Sequence, residues 1–166
     1  MRKRVRLVLK YTVENGRVRI FLDWRNTTVE VYVYSCENYT GDLKREVEYR
    51  GIKPEDPVAI IPCSTIENPL QLIQAALFYK VYSSRFKRFR NQGLLIAMLA
   101  TGLTQISSVV ESIGREIESG SRYYLLGVDR VPSNTSMCSV INPIEGVNAR
   151  TLKPLVKNTR LLISLL

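Results

Sequence analysis

The sequence NPLQLIQAALFYKVYSSRFKRFRNQGLLIAMLATGLTQISSVVESIG (residues 68–114) predicts three consecutive helices. Asn68 can cap the first helix, Pro69 suits the first helical position, and Gln71 falls three residues after the cap. Apolar residues then follow at helical spacing, which indicates that one face of this helix is buried. They are Leu70, Leu72, Ile73, Ala76 and Leu77.

The second predicted helix, from about Asn91 to Thr101, is apolar on every side. Such a helix is either a membrane span or the centre of a domain. A span needs roughly 20 apolar residues, and the apolar run at 94–100 is far shorter. We therefore expect a core helix, which Gly102 ends in the left-handed conformation.

The third predicted helix begins after Thr104, whose hydroxyl can cap it, and is expected to end at Gly114. Its apolar residues follow the spacing of one buried stripe. The stripe consists of Ile106, Val109, Val110 and Ile113. The three helices together form the helical block, residues 68–114.

Residues 1–27 predict an N-terminal hairpin. Apolar residues alternate with other residues on both sides of Asn15–Gly16, the pair that most favours a type I′ turn. In the second strand, Arg17 and Arg19 fall on the face opposite the apolar residues and either stay hydrated or take part in binding. The alternating apolar residues are Val5, Leu7, Leu9 and Tyr11, then Val18, Ile20 and Leu22.

The rest of the chain predicts further strands at about 28–34, 58–61 and 122–131, and a short one at 140–141. A short helix is expected from Thr40 or Gly41 to Arg50, with Arg50 in water and Gly51 ending the helix. A turn at Gly146 and short helices from Thr151 follow. The prediction is a single α+β domain over 1–166, in which a block of helices packs against an antiparallel or mixed β-sheet.

The composition favours a polyanionic partner. The 24 Lys and Arg residues outnumber the 15 Asp and Glu residues, which gives a net charge of +9. Nucleic acid is the first candidate and a membrane surface the second; a generally basic surface is the alternative. The cations cluster at 2–6 and at 85–90. No segment resembles a signal peptide, so we expect a soluble cytoplasmic protein.

Catalytic and metal-binding motifs are absent from the sequence. There is no histidine, no G-x-x-x-x-G-K-[ST] loop and no G-x-G-x-x-G. We therefore expect no enzyme activity, no cofactor and no metal. Cys36, Cys63 and Cys138 are odd in number and far apart, so reduced, partly buried thiols are expected.

The segment between the first two helices of the block combines four cations with two aromatic residues. It reads RFKRFR and covers residues 85–90, called the basic segment below. Cations neutralise phosphates and rings can stack on unpaired bases, a combination that suits single-stranded nucleic acid. We expect Phe86 and Phe89 to face the core, and the four cations to bind.

At these residues the chain resembles a known family, the kinase-binding small subunit of the KEOPS complex, also called the PRPK-binding protein family. The similar residues are 68–76, Arg90–Asn91, Gly102 and Gln105–Ile106. The similarity extends over roughly Thr28 to Leu166. The short, basic, histidine-free chain favours an archaeal member.

The resemblance implies a non-catalytic subunit that binds the kinase-like ATPase subunit and recruits tRNA through its 3′ CCA end, for threonylcarbamoylation of the adenosine beside the anticodon. It implies no membrane association. The residues that match the family's basic segment are the tRNA candidates. They are Arg85, Lys87, Arg88, Arg90 and Asn91. The residues facing the kinase are not separable from the core by sequence.

Two positions depart from the family pattern: Leu95 stands where members carry an acidic residue, and Thr104 lies where they carry Arg or Asn. A compensated pair, a shifted tRNA contact or a divergent paralogue would each explain this. Two other functions stay open: a stand-alone single-stranded RNA- or DNA-binding module, and an enzyme acting on a phosphorylated substrate.

Overall fold

The computed structural model describes residues 9–22 and 26–144. Within these ranges six strands form one antiparallel sheet in the order β1-β2-β3-β5-β4, with β6 pairing the end of β3. The strands are β1 (Leu9–Glu14), β2 (Arg17–Leu22), β3 (Thr27–Cys36), β4 (Val58–Pro62), β5 (Tyr123–Val128) and β6 (Cys138–Val140). The described α-helices are α1 (Leu43–Tyr49), α2 (Leu70–Tyr82), α3 (Gln92–Thr101) and α4 (Ile106–Glu118). The α+β class is confirmed.

The hairpin turn lies where the sequence predicts it. Asn15 has φ 46° and Gly16 has φ 76°, as a type I′ turn requires at both central positions. Val18 and Ile20 are fully buried, while Arg17 and Arg19 lie on the opposite face of β2. The predicted start of the first strand, the cations at 2–6, and the turn and helices predicted from Gly146 onward fall outside the described residues.

The α1 helix begins and ends at local signals. The Asp42 side chain accepts a hydrogen bond from the Arg45 backbone N–H at 2.9 Å, and Gly51 has φ 66° just after the helix. The expectation that Arg50 stays in water is wrong, because its side chain is fully buried. Its Nε donates to the hydroxyl of Tyr123 at 2.6 Å, and its Nη1 donates to the carbonyl of Ser136 at 2.6 Å.

A second charged side chain completes this buried network. The hydroxyl of Tyr123 donates to Oε2 of Glu46 at 2.6 Å, and Oε1 of Glu46 accepts from the Tyr39 backbone N–H at 2.7 Å. Glu46, Arg50 and Tyr123 are all fully buried. Buried charges are tolerated when hydrogen bonds satisfy them. The network therefore fastens α1 to β5 and to the loop before β6.

The helical block starts with the predicted capping box. Oδ1 of Asn68 accepts from the Leu70 N–H, and Oε1 of Gln71 accepts from the Asn68 N–H, both at 3.0 Å. Helix α3 is the predicted core helix, buried at Gly93 and from Leu95 to Ala100, and it ends at Gly102 with φ 78°.

The described helices include no single one that is both long and apolar enough to cross a membrane. Helices α3 and α4 reach that length and composition only when taken together, and the chain bends by 84° between them.

The third helix of the block differs from its prediction. Gln105 occupies the N-cap position without a side-chain hydrogen bond, so Thr104 does not cap it. Val109 and Ile113 are buried as expected, but Ile106 and Val110 are 50% and 41% exposed. The buried stripe continues instead to Ile117. The helix therefore extends past Gly114 and ends at Glu118.

The expectation of three reduced cysteines is wrong for two of them. Cys36 and Cys138 form a disulfide across 102 positions of sequence, because the pairing of β3 with β6 places them directly opposite each other. Cys63 is free and partly buried, and burial raises the pKa of its thiol. The disulfide and the Arg50 network both hold the segment that leads into β6.

Candidate nucleic-acid interface

The basic segment leaves the end of α2 as a 3-10 turn, Ser83–Phe86. Phe86 is 3% exposed and Phe89 is half-buried. Their rings meet edge to face, with centroids 6.2 Å apart. The prediction that both phenylalanines face the core is confirmed, so these rings anchor the segment.

Gln92 fixes the other end of the basic segment. The hydroxyl of Tyr79 donates to Oε1 of Gln92 at 2.6 Å, and Nε2 of Gln92 donates to the carbonyl of Phe89 at 2.7 Å. The backbone N–H of Gln92 donates to the carbonyl of Pro54 at 2.8 Å. The segment is therefore held by the core on one side and by hydrogen bonds on the other.

The four cations of the basic segment are exposed. Within the described residues none of them has an acidic partner within 4.0 Å, whereas several other surface cations do, including Arg19 with Glu30 and Lys80 with Asp129. Arg85 lies over the ring of Tyr82, 5.5 Å from its centroid. Four neighbouring unpaired cations create a local positive potential that an anion relieves. The cations are Arg85, Lys87, Arg88 and Arg90.

Asn91, the fifth predicted site residue, is exposed and has a structural task as well. Its Oδ1 accepts from the backbone N–H of Leu94 at 3.0 Å and so caps α3. This bond orients the amide, and Nδ2 has no hydrogen-bond partner among the residues that the structure describes. The five residues predicted from sequence therefore lie within one continuous segment, residues 85–91. The last of them, Asn91, is held in place by its hydrogen bond to helix α3.

A groove of about 420 Å³ adjoins this segment. Residues 88–91 form one side of it. The apolar lining comes from Phe89, Leu94, Met98 and Ile106. Sequence reasoning missed this groove, because it placed Ile106 in the buried stripe of α4. The half-exposed Ile106 beside Arg88 and Arg90 makes an apolar surface next to two cations.

A larger groove of about 650 Å³ lies between α1, β4, α3 and α4. Its lining includes Val47, Ile60 and Val110, and both acidic and basic residues stand among its other members. Val110 lines this groove and is 41% exposed; the other large exposed apolar side chain of the helical block, Ile106, does not line it. Because its charges are mixed, this groove has no preference for an anion.

The two departures noted in the sequence lie in different environments. Leu95 is fully buried in the core, so a carboxylate there would be a buried charge. Thr104 is exposed in the connection between α3 and α4. Over the described ranges, no group of three His, Cys, Asp or Glu side chains could hold a metal ion.

Comparison with known proteins adds no identification. No protein-family profile, no curated protein and no solved structure matches the chain.

Proposed function

We propose that this chain is a non-catalytic KEOPS subunit that recruits tRNA through its 3′ CCA end and binds the kinase-like ATPase subunit. The observation that carries the proposal is the basic segment, a turn held by packing and hydrogen bonds. It presents four exposed cations, none of which has an acidic partner in the part of the chain that the structure describes. A single strand such as a tRNA 3′ end offers phosphates at close spacing, and cations bind them with counterion release.

The kinase part of the proposal comes from the resemblance of residues 68–76 and the flanking elements to that family. The helical block leaves apolar side chains exposed at Ile106 and Val110, as a protein-binding surface does. Val110 lines the larger groove, which shares Asn91 and Leu94 with the smaller one. The proposed kinase surface therefore adjoins the tRNA-binding segment.

The subunit is proposed to act in the cytoplasm of an archaeon. Disulfides are rare in most cytosolic proteins, but intracellular proteins of hyperthermophilic archaea are a known exception. The Cys36–Cys138 disulfide is compatible with such a source.

The test is fluorescence anisotropy with a labelled tRNA, intact and lacking its terminal CCA. We expect a large loss of affinity on trimming and co-purification of the kinase subunit with the chain. Equal binding to both tRNAs would contradict recruitment by the 3′ end. Equal affinity for any strand of the same length, together with no stable kinase partner, would favour a stand-alone single-stranded RNA- or DNA-binding module.

A further inference from the structure

The N-terminal hairpin ends in an open strand edge. Strand β1 (Leu9–Glu14) is the first strand of the sheet, and within the described residues no strand pairs with its outer edge. Residues Lys10 to Glu14 are all exposed, including Tyr11 at 51% and Val13 at 39%. Proteins usually protect such an edge with a proline, a bulge or a very short strand. Strand β1 contains no proline and pairs with β2 at six consecutive positions, so these protections are missing.

The alternation of hydrogen bonds decides which residues of β1 face this edge. Glu14 and Arg17 flank the two-residue turn at Asn15–Gly16, so they form a hydrogen-bonded pair. Hydrogen-bonded and non-hydrogen-bonded pairs alternate along an antiparallel ladder. The backbone N–H and C=O groups of Tyr11 and Val13 therefore point away from β2, toward the open edge.

The sequence of β1 is complementary to itself in the antiparallel direction. When two copies of the strand are centred on Thr12, this residue lies opposite its own copy and Lys10 lies opposite Glu14. Tyr11 lies opposite Val13, so their outward-pointing backbone groups are paired as well. Opposite charges, an aromatic ring beside a β-branched side chain, and two threonines are all favourable cross-strand pairs.

We infer that two copies of this chain join through β1, as an antiparallel pair about a two-fold axis at Thr12. The two sheets then form one continuous sheet, in which each β1 lies between β2 of its own chain and β1 of the other copy. Such an interface is isologous, so every pair away from the axis occurs twice. The inference goes beyond the proposed function and does not depend on it, because the basic segment lies outside β1.

Other registers of the two strands lose this complementarity. Sliding one strand by one residue would set outward-pointing backbone groups against inward-pointing ones, which breaks the ladder. Sliding it by two residues places Tyr11 or Val13 on the axis, and the register then sets Lys10 or Glu14 opposite Thr12. The charged pair therefore selects the register that is centred on Thr12.

A protected edge is the competing explanation of the two charged residues, because charges on edge strands usually prevent pairing. Glu14 already has a partner in its own chain, since its Oε2 lies 3.4 Å from Nη2 of Arg17. That carboxylate is nevertheless 72% exposed, so it can also accept Lys10 of a second copy. A protected edge would keep the chain monomeric, and the mass of the chain in solution distinguishes the two cases.

The first measurement is sedimentation equilibrium from about 1 μM to about 1 mM chain, a range that covers moderate and weak affinities. All proteins carry Cys63→Ala, so that the free thiol cannot cross-link two copies. We expect a reversible equilibrium between monomer and dimer within this range. A chain that stays monomeric at the highest concentration would overturn the inference.

Charge reversal tests the register. Lys10→Glu and Glu14→Lys each set like charges opposite one another at two places, so each should weaken self-association at least about tenfold. An equimolar mixture of the two variants restores opposite charges at both places and should form a mixed dimer. Lys44→Glu makes the same charge change at an exposed position of α1 and should leave self-association unchanged. A mixture that associates no better than its components would rule out this pairing.

Proline substitution tests the backbone hydrogen bonds. Tyr11→Pro removes an N–H that points to the open edge, so it should weaken self-association at least about tenfold while the pairing with β2 remains. Tyr11→Ala removes the same ring but keeps the N–H, and should weaken self-association less. Thermal melting of each variant checks that the fold is intact. Dimers that persist in the proline and charge-reversed variants would show that the copies meet elsewhere, which would overturn the inference.

Discussion

The Nε of Arg50 lies 2.6 Å from the hydroxyl oxygen of Tyr123, and both side chains are fully buried. The same hydroxyl donates to Glu46, so one phenol joins a buried cation to a buried carboxylate. Arg50 also donates to the carbonyls of Asn134 and Ser136. One side chain thereby determines where α1, β5 and the loop before β6 meet.

Removing Arg50 should therefore destabilise the fold strongly. Arg50→Met keeps the apolar stem but removes the donor to the Tyr123 hydroxyl and to the carbonyls of Asn134 and Ser136. Each buried group left unsatisfied costs about 1–3 kcal/mol. Urea denaturation measures the change in the free energy of unfolding. Arg45→Met, on the exposed side of the same helix, is the control and should change stability little. Equal effects at both positions would mean that the buried network contributes nothing.

Alkaline pH should weaken the fold through Tyr123. Burial raises the pKa of its hydroxyl, and the hydrogen bond to Glu46 raises it further. The unfolded chain loses this proton at about pH 10, before the folded chain does, so stability is full below that pH. Above it the free energy of unfolding should fall by about 1.4 kcal/mol per pH unit for this group.

Tyr123→Phe is the variant that isolates this contribution. Its stability should decline less steeply than that of the wild type when urea unfolding is followed from about pH 9 to 11. Some decline should remain, because burial also raises the pKa of Tyr79 and Tyr124. Parallel profiles for the two proteins would show that Tyr123 does not couple protonation to folding.

Salt should weaken RNA binding with a slope that counts the cations in contact with phosphate. Four contacts to a single strand give a slope of about −3 for log affinity against log salt. The double variant Lys87→Ala, Arg88→Ala should bind more weakly, with a slope of about −1.5. Lys44→Ala with Arg45→Ala removes two exposed cations of α1 and serves as the control. If the two double variants behave alike, the basic segment is not the site.

Kinase binding should depend on Val110 rather than on the basic segment. Val110→Asp places a carboxylate on an exposed apolar position of the helical block, which should reduce co-purification of the kinase subunit at least about tenfold. Val131→Asp makes the same change at a 56% exposed valine of the loop before β6. Retention of the kinase by both variants would exclude Val110 from the interface.

Reduction of the Cys36–Cys138 disulfide should lower stability. The bond closes a loop with a sequence separation of 102, for which the loss of chain entropy predicts roughly 4–5 kcal/mol. A reductant should lower the urea midpoint of the wild type and of Cys63→Ala. It should have no effect on the double variant Cys36→Ala, Cys138→Ala. Thiol titration of the unfolded, unreduced chain should find one free thiol.

The elements that the sequence predicts correctly depend on neighbouring residues. The turn at Asn15–Gly16 depends on the backbone angles of these two residues. The capping box from Asn68 to Gln71 spans only four residues. Helix α3 is apolar on every side, so its burial could be predicted without knowing which of its faces packs against the rest of the fold. Such signals are complete within a few residues and hardly depend on tertiary contacts.

The failures involve contacts that only the tertiary structure creates. The partners of Arg50 at Tyr123, Asn134 and Ser136 are 73 to 86 positions away, so its burial has no local signal. The sequence of α4 contains two possible apolar stripes, and both include Val109 and Ile113. In the folded chain the buried stripe is the one that continues to Ile117. This packing leaves Ile106 exposed, where it lines the smaller groove beside the basic segment.

The bracing of the basic segment by Phe86, Phe89 and Gln92 bears on the thermodynamics of association. A flexible basic loop must become ordered when it meets its ligand, and coupled folding and binding loses several kcal/mol in this way. Here packing and hydrogen bonds already fix the backbone of the segment, so the long cationic side chains are the main groups that lose freedom on binding. Association should accordingly be fast, with only a small change in heat capacity.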